Sequence, residues 1–323
     1  MKQDQLMRAY RAMLLARHFE QRAAQAYAAG KIGGFLHLYP GEEAVAVGVL
    51  QAAEPADYVV TTYREHVHAL VRGIPAGQIM AELYGRRDGI CGGMGGSMHL
   101  FDRERRFMGG YAIVGETFPI AIGIAYGIVL RKLPEAVICF FGEGAVNQGT
   151  FHESLNMAAL WRLPVLFVCE NNRYQIGTHI DRHSAVTDVY KRASAYNMPA
   201  EQVDGMDVQA VHAAAHRMLQ NVRAGSGPQF LDLPTYRFRG HSMADAGAYR
   251  PKAEVDAFKE TGPLRRIESQ VDGAAREAIE LEVKEIIEQA ILFAEASPEP
   301  SWQDAWHALK PNRKPEILIR EEN

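Results

Sequence analysis

The sequence predicts an α/β protein: a doubly wound, mostly parallel sheet flanked by helices, with helical extensions at both ends. Three observations predict it. Short continuous apolar runs alternate with longer segments of helical period. One alternation, "EAVICFF", "NQGTFHESLNMAALWR" and "PVLFVCE", has about the 30 residues of a right-handed parallel β-α-β unit. A second follows it, in which "AEQVDG" ends a strand, "VQAVHAAAHRMLQNVRAG" is a helix and "PQFLDLPTYRF" is another strand.

The elements can be justified in chain order. "LMRAYRAMLLARHFEQRAAQAY" carries Leu6, Tyr10, Met13, Leu14 and Phe19 at helical spacing, which predicts an amphipathic packing helix over residues 3–29. An Arg-rich start of this kind can also be a transit peptide, but Asp4 and Glu20 argue against that. The stretch Gly89–Leu100, "GICGGMGGSMHL", has five glycines in twelve residues and abandons regular structure. It reads either as a flexible surface loop or as backbone brought close to something else, and Met94, Met98 and Leu100 favour the second. Glu135–Phe141 and Pro164–Glu170 each carry a short continuous apolar run, as strands buried on both faces do. The helix after "VDG" should stop at Gly225. In the tail, Ile279, Val283, Ile286, Ile287 and Ile291 form one stripe of a long helix that "SPEP" ends. The expected organisation is one domain over 1–323, with a core at 30–240 and a helical tail at 252–310.

Bulk properties exclude several classes. With 323 residues, 47% of them apolar, the chain can build a sizeable core. A net charge of −4 gives no electrostatic case for nucleic acid. No apolar run reaches the roughly 18 residues of a membrane-spanning helix. Cys91, Cys139 and Cys169 share no metal-binding spacing; Cys139 and Cys169 read as small core residues, and reduced thiols suit a cytosolic or mitochondrial matrix compartment, of which a bacterial cytoplasm is expected.

Chemistry concentrates at "FFGEGAVNQGTF", Phe140–Phe151. Ligands of parallel α/β sheets bind beyond the carboxyl ends of the strands. Gly142, Glu143 and Gly144 lie at one such end, and Asn171 and Asn172 at the end of the next strand. Glu143 and Asn172 can therefore converge although 29 positions separate them. A carboxylate plus an amide oxygen suits Mg²⁺ shared with substrate phosphates. The glycines, and a helix expected to start near Asn147, would turn N–H groups toward the same anion. A dinucleotide fingerprint is the rival, but it needs Gly where Asn147 stands. The plainer alternative is that Glu143 caps the helix, for which Glu is a poor residue.

The spacing G-E-G, then N-N, is similar to the signature of thiamine-diphosphate enzymes. Together with "GGFLHLYPGEEAVAVG", "YREHVHALVRG", "GGMGGSMHL", "AIVGETFPIAIGIA", "VDGMDV" and "TYRFRGHSMADAGAYR", in that order, it resembles the alpha subunits of the decarboxylating component of 2-oxo acid dehydrogenase complexes. Pyruvate dehydrogenase is the best match, acetoin dehydrogenase is close, and branched-chain enzymes rank third. The resemblance implies Glu143 and Asn172 as side-chain metal ligands with the Tyr174 carbonyl as a third. It implies that the Gly144 and Ala145 backbone, Tyr63 and Arg64 hold the diphosphate, and that Ala112 and Val114 line the aminopyrimidine. His241 would anchor phosphate and assist transfer to a lipoyl group, and His37 would stand at the substrate end. His179, His183 and His216 read as structural.

The implied cofactors are thiamine diphosphate and Mg²⁺. The implied partners are a beta subunit, in a heterotetramer of two alpha and two beta chains, and a lipoyl-bearing acyltransferase. The beta chain would supply the glutamate for the pyrimidine ring, so the alpha chain alone should be inert. "GGMGGSMHL" and "AIVGETFPIAIGIAYG" would suit close packing against it. Two departures stand out. The family has Asp where this chain has Glu143, whose extra methylene moves the carboxylate by about 1–1.5 Å, a large step for an ion with strict geometry. Ser242 matches a serine phosphorylated in mitochondrial relatives, while a second such serine is replaced by Ala248; in a bacterial-looking chain Ser242 is expected to be unregulated. A degenerate alpha subunit that binds its partner but no metal is the alternative from another class.

Overall fold

The computed structural model describes residues 1–309, so the predicted tail reaches one residue beyond them, and residues 310–323 lie outside the description. Six parallel strands form the central sheet: β1 Tyr58–Thr62, β2 Phe107–Tyr111, β3 Val137–Gly142, β4 Val165–Asn171, and, after a small hairpin, β7 Ala200–Gln202 and β8 Gln229–Pro234. The hairpin strands are β5 Tyr174–Gln175 and β6 Thr178–His179. The sheet order is β2-β1-β3-β4-β8-β7, and every pairing in it is parallel.

Both faces of the sheet are covered, and the strand sequences show why. Side chains alternate between faces with period two. Ile138, Phe140, Leu166, Val168, Leu231 and Leu233 enter one core. Val137, Cys139, Phe141, Val165, Phe167, Cys169 and Phe230 enter the other. The first core is closed by the N-terminal helix Gln3–Ala28, the helices Glu43–Ala52, Ala76–Leu83 and Val208–Arg223, and the long helix Gly273–Ala296. The second is closed by Thr117–Arg131 and Gly149–Leu160.

The terminal extensions behave as their patterns predict. Leu6, Tyr10, Met13, Leu14 and Phe19 are all buried. In the tail Val283, Ile287 and Ile291 are buried, and Ile279 and Ile286 pack at the edge of the same core. The two extensions meet, with Arg11 bridging to Glu282 at 2.5 Å.

Several boundaries differ from expectation. Strands β3 and β4 each start later and run one residue further than predicted, although the Ala136 and Pro164 carbonyls still accept from the Tyr58 and Val137 N–H groups at 2.9 Å. β8 stops at Pro234, beyond which the Thr235 N–H donates to Asn171 O at 2.8 Å and the Phe238 N–H to Pro40 O at 2.8 Å. The helix expected near Asn147 begins at Gly149. A 3₁₀ turn, Glu143–Asn147, precedes it, and Gln148 between them is extended at ψ 144°.

The glycine-rich segment is not a freely solvated loop; it wraps on a carboxylate of the same chain. Glu82, at the end of the helix Ala76–Leu83, accepts from the N–H groups of Cys91, Gly93, Gly95 and Gly96 at 2.8, 2.8, 2.7 and 3.1 Å. A Cβ on Gly89 would lie 2.4 Å from the Glu82 Oε2, so that approach needs glycine. Replacing Glu82 by Ala strands four N–H donors. We expect a loss of about 3 kcal/mol in stability, the range for deleting one side of a buried charged network. Urea unfolding measures it, and a loss under about 1 kcal/mol would mean that water replaces the carboxylate.

Candidate functional site

In the order β2-β1-β3, the chain steps from β1 to one neighbour and then returns to the other, so a topological switch lies between β1 and β3. A cavity of about 370 Å³ opens at the carboxyl ends there, within the range of small-molecule sites. All eleven residues singled out from sequence line it: His37, Tyr63, Arg64, Ala112, Val114, Glu143, Gly144, Ala145, Asn172, Tyr174 and His241.

Each strand end delivers its own group. Tyr63 and Arg64 follow β1, Ala112 and Val114 follow β2, and Glu143, Gly144 and Ala145 follow β3. The parallel register of β3 and β4 pairs Gly142 with Glu170. That sets Asn172 beside Glu143, whose Oε2 accepts from the Asn172 N–H at 3.3 Å. The turn after β4 holds Arg173 at φ 68° and Ile176 at φ 53°, left-handed values that cost a non-glycine residue about 1 kcal/mol or more. This strain lies at the site itself. Gly142 faces open space, since a Cβ there would meet nothing within 4 Å, whereas a Cβ on Gly144 would lie 2.7 Å from Gln175 Cγ.

Glu143 is 1% exposed, and its Oε1 has no hydrogen-bond partner. No side-chain cap bonds the helix that starts at Gly149, so capping does not explain Glu143. Burial pushes its pKa up to about 7, against the partial opposition of the Arg237 guanidinium. Glu42 is also buried and also pushed up to about 7, with Arg64 opposing. Arg64 donates to Leu38 O at 2.6 Å and to His241 O at 2.8 Å. Burial, then the nearby Arg237, lowers its pKa. His37 and His241 stand with ring centroids 5.1 Å apart. Burial and the Arg64 charge lower their pKa values to about 2 and about 4, so both are neutral at pH 7.

Among the described residues no group of three or more His, Cys, Asp or Glu side chains is arranged to hold a metal. A site built from one carboxylate, one amide oxygen and a peptide carbonyl needs its remaining oxygens from a ligand or water. Sequence reasoning missed Glu42, Glu170 and Arg237, which also line the cavity. Arg237 sits inside the quoted "TYRFRGH" and is fully buried, and a buried guanidinium requires partners. Val114 lines the cavity and is 42% exposed. His179, His183 and His216 lie elsewhere: His179 caps a short helix, His183 contacts Asn147, and His216 stacks on His212.

Fold and site together define a parallel α/β protein with a small-molecule cavity, holding two guanidinium groups, at the carboxyl ends of its strands. Comparison with known proteins narrows this class. Residues 10–303 match the dehydrogenase E1 component family, and the chain belongs to that family. It is 46% identical over 306 residues to a Rhizobium meliloti protein named pyruvate dehydrogenase E1 component subunit alpha, covering 93% of this chain and 88% of that one. A protein of the same name from Porphyra purpurea is 43% identical over 305 residues, covering 90% and 89%. Another from Rickettsia felis is 42% identical over 303 residues, covering 92% and 93%.

The lowered histidines make a pH prediction. Between the ordinary value of 6.5 and about 4, the unfolded chain holds a proton at position 241 that the folded chain does not. Stability should fall as pH drops through that window, with no such term above it. Nitrogen-15 spectra should show His37 and His241 neutral at pH 5.5; a ring titrating near 6.5 would contradict the burial described here.

Proposed function

We propose that this chain is the alpha subunit of a thiamine-diphosphate- and Mg²⁺-dependent pyruvate dehydrogenase. One observation carries the cofactor assignment: an unpartnered, fully buried Glu143 oxygen beside Asn172, in a cavity that also holds two guanidinium groups. An orphan carboxylate oxygen at such a place lacks a cation. Here the longer Glu reaches the Asn172 backbone N–H, so its carboxylate stays at the strand end where the cation is proposed, and the relatives' names count against a degenerate, non-metal-binding subunit. The relatives' names support pyruvate over acetoin.

The residues fit the cofactor. Thiamine diphosphate, when bound, supplies the electron sink for decarboxylation of a small 2-oxo acid. The chain's residues do the rest. Glu143, Asn172 and the Tyr174 carbonyl would hold Mg²⁺, while Tyr63, Arg64 and the Gly144 and Ala145 backbone would bind the diphosphate. Arg64 is pre-oriented by its two carbonyl bonds, so little ordering remains to be done. Ala112 and Val114 would border the aminopyrimidine. His37 and His241, neutral at pH 7, can each offer a ring nitrogen as a hydrogen-bond donor or acceptor, and as bases they stay weak until a bound anion offsets the Arg64 charge that lowers them. His241 is steadied by its backbone N–H, which donates to Asp245 at 2.6 Å.

The cavity mouth is apolar, with Phe35, Ile113 and Ile176 each more than half exposed. A beta subunit would cover this rim and supply the missing acid–base glutamate, in a heterotetramer that works with a lipoyl-bearing acyltransferase. We assign the protein to a bacterial cytoplasm as one domain over 1–323. No helix of the described residues is long and apolar enough to cross a membrane, and the three cysteines are free.

Calorimetry on the chain co-expressed with its beta partner tests the assignment. Thiamine diphosphate with Mg²⁺ should bind at micromolar concentration. Glu143→Ala should weaken it by more than about 100-fold, beyond what a change outside the ligand shell costs. Unchanged binding in that variant would remove Glu143 from the site. Pyruvate, rather than acetoin or a branched 2-oxo acid, should reduce an artificial electron acceptor fastest.

A further inference from the structure

An amide can serve as a metal ligand only through its oxygen, and the two ends of an Asn side chain have nearly the same shape. Something must therefore fix which end of Asn172 is which. The Asn172 Nδ2 donates to Glu42 Oε1 at 3.1 Å. Glu42 Oε1 is the acceptor in that bond, so the nitrogen faces Glu42. At the other end, Asn172 Oδ1 accepts from the Tyr174 N–H at 3.2 Å and from Arg237 at 3.4 Å. Turning the amide over would set oxygen against carboxylate at one end and donors against donors at the other.

Glu42 is well placed for this task. It is 1% exposed and begins the helix Glu43–Ala52, where its N–H donates to Tyr39 O at 3.1 Å. The adjoining Glu43 ties down the same turn, accepting from the Gly41 N–H at 3.0 Å and from Arg17 at 2.5 Å. A Cβ on Gly41, whose φ is 106°, would lie 2.1 Å from Tyr236 O, so the turn is wedged against the chain leaving β8. The second Glu42 oxygen has no hydrogen-bond partner and lies 3.9 Å from Arg64 Nε. One side chain thus touches the amide proposed for the cation and faces the guanidinium proposed for the diphosphate.

We propose that Glu42 is a positioning residue: it fixes which end of the Asn172 amide is the oxygen, the end that would give up its long Arg237 contact to the cation. This rests on the metal site proposed above. Glu42 needs its acceptor oxygen for the role and not its charge, so Glu42→Gln should preserve it and Glu42→Leu should not.

The test is Mg²⁺ titration, by calorimetry, of the complex with the beta partner at saturating thiamine diphosphate. Glu42→Leu should raise the Mg²⁺ dissociation constant about 10–100-fold, the usual effect of losing a residue that orients a ligand. Glu42→Gln should stay within about threefold of the parent. In an Asn172→Ala background Glu42→Leu should add nothing, because its effect passes through Asn172. If Glu42→Leu does not fold, Glu42→Ala takes its place, with thermal unfolding in the absence of cofactor as the check on the fold. Parent-like affinity in Glu42→Leu would overturn the proposal, and so would a Glu42→Gln variant as weak as Glu42→Leu, which would make the charge itself the active feature. A parent complex that binds no Mg²⁺ with thiamine diphosphate would instead bring down the cofactor assignment, and the proposal with it.

Discussion

The parallel pairing of β3 with β4 is the constraint on which the site depends. Two apolar strands, buried on both faces, can lie side by side only with their carboxyl ends together, given the crossover helix between them. Whatever residues follow them are then neighbours. Here those residues are Glu143 and Asn172, in direct contact although 29 positions apart. The same rule brings in Tyr63 and Arg64 from β1 and His241 from the chain beyond β8. The cavity is a consequence of strand polarity before it is a consequence of any one side chain.

Burial sets the chemistry of that cavity. Two carboxylates, Glu42 and Glu143, are each pushed up to about 7, and each keeps one oxygen without a hydrogen-bond partner. Two guanidinium groups and two neutral histidines share the space. A fold retains such costly groups where a ligand completes them. The strained backbone at Arg173, between β4 and the hairpin, and at Ile176, in the turn of the β5–β6 hairpin, is consistent with this, since backbone strain persists where surrounding structure holds it for a purpose.

The fold was readable where pattern and burial agree. β3, β4 and the terminal helices carry unbroken apolar runs or single stripes, and those segments form nearly as expected. β2, "FMGGY", was not readable: two glycines weaken its pattern, and it lies at the sheet edge. The purpose of the glycine-rich segment was equally hidden, because its anion, Glu82, belongs to a preceding helix that gives no local sign of it. Within the site, Glu143 and Asn172 could be argued from strand ends alone, whereas His37 and His241 stood out only through resemblance to a family. Glu42 and Arg237 escaped notice, since a glutamate at a helix start reads as a dipole partner and an arginine as surface, until burial shows otherwise.

The central claim is that strand polarity makes Glu143 and Asn172 one cation site. The most direct measurement is an anomalous-scattering map of the assembled protein crystallised with thiamine diphosphate and Mn²⁺ in place of Mg²⁺. The account predicts a single strong peak in the cavity, about 2.0–2.3 Å from a Glu143 carboxylate oxygen and from the Asn172 amide oxygen. A cation bound elsewhere in the cavity, with Glu143 still turned to the Asn172 backbone and its other oxygen bare, would contradict it.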